Sequence, residues 1–151
     1  MNKNLILIII FIFLTQCGYS PVYKANTKSN VNIILADLKG DKDFNNKLNS
    51  KLKKYYNGNS ENSFTISVNS KIEKNTITKN SKGKITNYEL IATTTFKIVY
   101  KNEENNLILR ENLKILNKDD SFEEKKYEDA AKNNFASSMI ERLIIKLNTL
   151  K

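Results

Sequence analysis

The sequence predicts an α+β domain in which two helices pack on one face of a four-stranded sheet, in the order β-α-β-β-β-α. Three observations predict it. Residues 64–115 hold three segments in which apolar and polar side chains alternate with period two. Apolar residues then recur at every fourth position from Tyr127 to Leu147, the period of a helix with one buried face. Ahead of both, a short alternating run is followed by a first amphipathic segment. With 151 residues in all, the chain has the length of one domain.

Taken from the N-terminus, Met1 to Asn4 carries one Lys, and Leu5 to Leu14 is an unbroken run of ten apolar residues. Ten residues are too few to span a bilayer as a helix, which takes about 20. A short basic start, an apolar run of this length and the polar pair Thr15-Gln16 predict an export signal over residues 1–16. Cys17 follows as the only cysteine, so no internal disulfide is available. Residues 17–30 hold the only Pro and little periodicity, and read as a tether. Residues 31–151 form the single domain.

Val31, Ile33 and Leu35 predict the first strand, which Gly40 and Asp41 break. Phe44, Leu48, Leu52 and Tyr55 or Tyr56 then recur at helical spacing, with Asp41 or Asp43 suited to the N-terminus of the helix. A polar connection from Gly58 to Ser63 leads to the second strand, Phe64 to Ile72, which Ile77 and Ile85 extend toward a turn at Asn80-Ser81-Lys82-Gly83. The third strand runs from Tyr88 to Tyr100. The fourth places Leu107, Leu109, Leu113 and Ile115 inward, after a turn expected over Asn102 to Asn106. Alternation this long predicts an antiparallel meander with one buried face. Ser121-Phe122-Glu123-Glu124 has the form of a capping box opening the last helix. Its stripe is Tyr127, Ala131, Phe135, Met139, Leu143 and Leu147, widened by Ala130, Ile140, Ile144 and Leu150.

Composition narrows the chemistry. There is no His, the side chain most used for proton transfer near neutral pH and for metal ligation. Ser nucleophiles therefore lack their usual base, no Gly-rich phosphate loop is present, and the paired carboxylates Glu103-Glu104, Asp119-Asp120 and Glu123-Glu124 fall at turns or helix starts. Asp41 and Asp43 lack the remaining ligands of a calcium loop. The expectation is a protein that is not an enzyme and holds no metal or cofactor. The net charge of +9 raises nucleic acid as a partner, but 23 of the 25 basic residues are Lys and they are scattered along the chain. With 23 Asn and 18 Ile beside them, this is the joint bias of an A+T-rich coding sequence, so no nucleic-acid partner is expected.

Leu14-Thr15-Gln16-Cys17-Gly18 resembles the signal of bacterial lipoproteins, with Gln16 where Gly, Ala or Ser is usual. That resemblance implies a diacylglycerol thioether and an N-acyl chain on Cys17. Gly18, where Asp would retain the protein at the inner membrane, implies an outer-membrane anchor on the periplasmic side. The longer stretch Cys17-Gly18-Tyr19-Ser20-Pro21-Val22-Tyr23 resembles the start of the lipopolysaccharide-assembly lipoproteins of the LptE type, in their alphaproteobacterial form. The inferred element order is similar to that family's domain over the whole mature chain. The resemblance implies a plug and assembly partner for an LptD-like outer-membrane β-barrel, in contact with lipopolysaccharide. Such a ligand presents phosphates and carboxylates. The densest cationic element of the sheet, Lys71, Lys74, Lys79, Lys82 and Lys84, is the candidate contact with lipopolysaccharide or barrel. Another outer-membrane lipoprotein, a pilotin or a scaffold of a secretion complex, would share the same anchor.

Overall fold

The computed structural model describes residues 31–56, 62–117 and 120–150. The export signal, Cys17 and the stretch to Tyr23 lie outside these residues. The alternating runs form β1 (Asn32–Gly40), β2 (Ser63–Lys79), β3 (Ile85–Tyr100) and β4 (Glu103–Leu116). The helical runs form α1 (Lys42–Leu52), extended by a 3-10 turn over Lys53–Tyr55, and α2 (Ser121–Asn148). The order β-α-β-β-β-α is the expected one.

The strands lie in sequence order across one sheet. β2, β3 and β4 form the antiparallel meander, while β1 runs parallel to β2. The connections dictate this difference. β1 and β2 are joined through α1, a crossover long enough to return the chain in the same direction, whereas the later strands are joined by tight turns. Phe64, Ile66 and Val68 of β2 and Leu90, Phe96 and Ile98 of β3 occupy one face and are buried. Both helices cover that face: Phe44, Leu48 and Leu52 of α1 and Ala131, Phe135, Met139, Leu143 and Leu147 of α2 complete one core. Near its edge the rings of Phe64 and Tyr100 stack with centroids 4.4 Å apart. The opposite face carries Thr65, Ser67, Asn69, Thr93 and Thr95, and no described helix covers it.

Two local expectations change. The turn before β4 is not Asn102 to Asn106 but the pair Lys101-Asn102, both with positive φ (48° and 66°), so that Tyr100 and Glu103 face each other across a two-residue hairpin. A turn with both central residues left-handed matches the twist of the flanking strands. Glu103 to Asn106 are polar because they begin an edge strand, where Glu104 pairs with Lys97 at 2.7 Å. Left-handed backbone costs an ordinary L-residue roughly 1–2 kcal/mol. Changing Lys101-Asn102 to Asn-Gly is therefore expected to stabilise the domain by about 1 kcal/mol, read as a higher urea midpoint with an unchanged slope.

The second change is at the start of α2. The cap is Asp120 and not Ser121: the Asp120 carboxylate accepts from the amides of Phe122 (2.8 Å) and Glu123 (3.4 Å). An ionised acceptor at the positive end of a helix outcompetes a hydroxyl. Glu124, the expected second half of the capping box, turns instead toward the sheet.

Candidate anion-contact hairpin

β2 and β3 form a hairpin of which only the base is covered. Residues 74–85 are all exposed, and the pairing with β4 ends at Asn87 and Leu116, so the last turn of the ladder projects as two strands alone. The tip is built by Asn80. Its side-chain oxygen accepts from the amides of Lys82 (3.0 Å) and Lys84 (2.9 Å). Its backbone amide donates to the Lys84 carbonyl at 2.8 Å, and its own carbonyl accepts from Gly83 at 2.9 Å. Gly83 supplies the positive φ of +78° that closes this loop. An Asn that mimics a backbone turn thus fixes a loop whose flanking side chains are lysines.

The five lysines read as one group in the sequence are divided by this geometry. Lys79, Lys82 and Lys84 come together at the exposed tip. Lys71 lies eight residues from Lys79, roughly 26 Å along an extended strand, where it pairs with Glu73 at 2.8 Å.

Lys74 faces the helices and is held between two carboxylates of α2, Glu124 and Glu128, at 2.5 Å from each. Its ammonium also lies 3.9 Å from the centroid of the Tyr88 ring, and the Tyr88 hydroxyl donates to Glu128 at 2.9 Å. This cluster joins β2, β3 and the first turns of α2 from partners up to 54 positions apart. No local pattern signals it; the only trace in the sequence is an acidic start of α2 with more carboxylates than the cap uses.

Opposing effects set the protonation of this cluster. Partial burial of Lys74 works against its charge, but the hydrogen bonds to Glu124 and Glu128 outweigh it, and its pKa rises above the ordinary lysine value. Burial likewise works against a charged Glu128. The hydrogen bonds from Lys74 and Tyr88 outweigh it, and the carboxyl titrates below its usual range. Tyr88 is raised by burial first and then by its bond to Glu128. The stabilisation from Glu128 is thus complete above the ordinary glutamate pKa and lost as pH falls through the lower folded value. That from Lys74 is complete below the ordinary lysine pKa and lost as pH rises through the higher folded value. Since the Lys74 side chain is 44% exposed, solvent screening limits the whole effect. Lys74→Met is expected to cost about 1 kcal/mol at neutral pH, with a cost that stays level between about pH 5 and 10 and shrinks beyond either end. Urea unfolding of both proteins across pH measures this.

Asp41, part of the acidic pair near the start of α1, is its N-cap and accepts from the Phe44 amide at 2.8 Å. No group of three or more metal-ligating side chains forms among the described residues. No described helix is long and apolar enough to cross a membrane.

No family model and no curated protein matches the chain. Solved structures do. Rare lipoprotein B from Shewanella oneidensis superposes with a TM-score of 0.60 at 14% identity, over 79% of this chain and 98% of that one. Lipoprotein B from Nitrosomonas europaea gives 0.51 at 13% identity, over 81% and 87%. A minor lipoprotein from Acinetobacter baumannii gives 0.51 at 14%, over 77% and 92%. At such identities the shared property is the architecture, and the chain has the fold of these bacterial lipoproteins.

Proposed function

We propose that this chain is a non-enzymatic lipoprotein, anchored through acyl chains on Cys17 to the periplasmic side of the outer membrane. There it plugs and helps assemble the β-barrel that delivers lipopolysaccharide to the outer leaflet. One coincidence carries the reading. The only Cys stands three positions after the end of an export-type apolar run, and the domain behind it has a fold found in lipoproteins of other bacteria. Several acyl chains hold a domain on a bilayer without a membrane-spanning helix, where a single chain anchors only marginally. Mass spectrometry of the mature N-terminus is expected to find Cys17 first, carrying diglyceride and amide-linked acyl groups. An intact N-terminus starting at Met1 would overturn the anchor.

The hairpin tip supplies the polyanion contact in this reading. Lys79, Lys82 and Lys84 lie on the exposed tip, whereas Lys74 is held by two carboxylates of α2 and Lys71 by Glu73. Reversing all three tip charges to Glu is expected to weaken lipopolysaccharide binding at least about tenfold at low ionic strength, and less at high salt, where charges separated by more than about 8–10 Å are screened. Because all three positions lie on the exposed segment 74–85, the unfolding midpoint should change little. Unchanged binding would remove the tip from the contact.

A further inference from the structure

The projecting end of the β2–β3 hairpin carries more than lysines. Ile77 is 43% exposed and Ile85 37%, beside Thr76, Thr78 and Thr86 on the same two strands. Thr serves a strand as well as Ile does, so the two Ile add hydrocarbon that the hairpin itself does not need. Ile85 is the direct cross-strand partner of Lys79, and Ile77 lies two positions before Lys79 on β2. Cation and hydrocarbon are therefore neighbours across the hairpin. From Lys74 to Tyr88 there is no Asp or Glu. The carboxylates that flank this segment on its own strands are engaged, Glu73 with Lys71 and Glu89 with the Asn112 amide at 2.6 Å. The turn is also closed on itself. The amides of Asn80, Lys82, Gly83 and Lys84 all donate within it, and the Thr78 and Thr86 hydroxyls bond each other at 2.7 Å. Polar groups satisfied in this way lower the cost of leaving water.

We propose that the tip docks on an anionic lipid leaflet, with Ile77 and Ile85 entering the boundary between head groups and acyl chains and Lys79, Lys82 and Lys84 meeting lipid phosphates. Lysine stems lie along hydrocarbon while their ammonium groups stay at the level of the phosphates. Two features of the tip select this partner together. Its charge, with no carboxylate between the lysines, disfavours a second copy of a chain of net charge +9. Its exposed Ile pair disfavours a soluble polyanion, which would neutralise the lysines and leave the hydrocarbon in water. The inference deepens the lipopolysaccharide reading and rests on it for the membrane beside the tip.

The test uses the full lipidated chain in nanodiscs of phosphatidylcholine, with or without about 30% phosphatidylglycerol. With Cys17 acylated, Ser81→Cys gives a single free thiol at the tip for an environment-sensitive fluorophore, and Asn69→Cys gives one on the uncovered sheet face. Quenching of the tip label by lipid carrying a doxyl group high on its acyl chain is expected to be at least about tenfold greater in the anionic discs. The sheet label should respond to neither lipid. Ile77→Thr combined with Ile85→Thr keeps the β-branched side chains that strands favour and should lower the tip quenching roughly tenfold, with the urea midpoint measured alongside. Soluble tripolyphosphate should not reproduce the blue shift of the tip label. Equal quenching in the two kinds of disc, quenching that survives loss of both Ile, or a blue shift produced by tripolyphosphate alone would each overturn the proposal. Loss of barrel co-purification with the tip quenching intact would contradict the functional reading alone. Retained co-purification without the quenching would contradict the leaflet contact alone.

Discussion

Gly40→Ala is expected to destabilise the domain by roughly 4 kcal/mol or more, a large part of the 5–15 kcal/mol typical of a whole domain. Two effects combine at this residue. Its φ of +95° is a conformation that L side chains rarely adopt, and a Cβ built there would lie 1.8 Å from the Ser70 carbonyl oxygen. That oxygen belongs to backbone and cannot rotate away. It accepts the Asp41 amide at 3.0 Å, the bond that fixes where β1 ends and α1 begins. The Ser70 side chain donates to Asn45 at 2.8 Å, and Asn45 donates to the Lys39 carbonyl at 2.9 Å. Both side chains are buried, so any shift that relieves the clash leaves polar groups without partners. An urea midpoint within about 1 kcal/mol of the wild type would show that the turn has more freedom than this geometry allows.

The other large effect is expected at Phe96. It sits in the middle of β3, between Val68 and Leu107 in the pairing, and is fully buried beneath the helices. Phe96→Ala is expected to cost about 3–5 kcal/mol, because the central strand is held on both sides and cannot collapse into the space left behind. Phe122 provides the contrast. Of the same type but 72% exposed at the start of α2, it should tolerate Ala within about 0.5 kcal/mol. Equal losses at the two positions would contradict the placement of the core.

Long periodic segments were the most readable part of the sequence. β3 alternates over the thirteen residues from Tyr88 to Tyr100 and the α2 stripe repeats every fourth residue, because each buries one face against the same core over its whole length. Features set by partners distant in sequence were not readable. Gly40 announces a break, but the reason it must be Gly is the carbonyl of Ser70, thirty residues away. Lys74 looks like its neighbours in a lysine-rich strand until α2 places Glu124 and Glu128 beside it. The same pairing takes Glu124 from the expected capping box, and Asp120 takes over the cap. Lys101-Asn102 does not announce the β3–β4 turn, because neither residue carries the Gly signature of a two-residue turn. Of the candidate contact residues, Lys79, Lys82 and Lys84 remain together at an exposed tip, while the sheet sends Lys71 and Lys74 elsewhere.

A fold that serves an outer-membrane barrel should be isolated from native membranes together with that barrel. An affinity-tagged full chain is expressed at its natural level, recovered from detergent-solubilised membranes, and its co-purifying proteins are identified by mass spectrometry. A large LptD-like β-barrel is expected in near-equal amount, retained through washing at high salt, since an enclosed plug is held by packing more than by screened surface charge. Recovery of the chain with a secretin, or in the soluble fraction without any barrel, would contradict it.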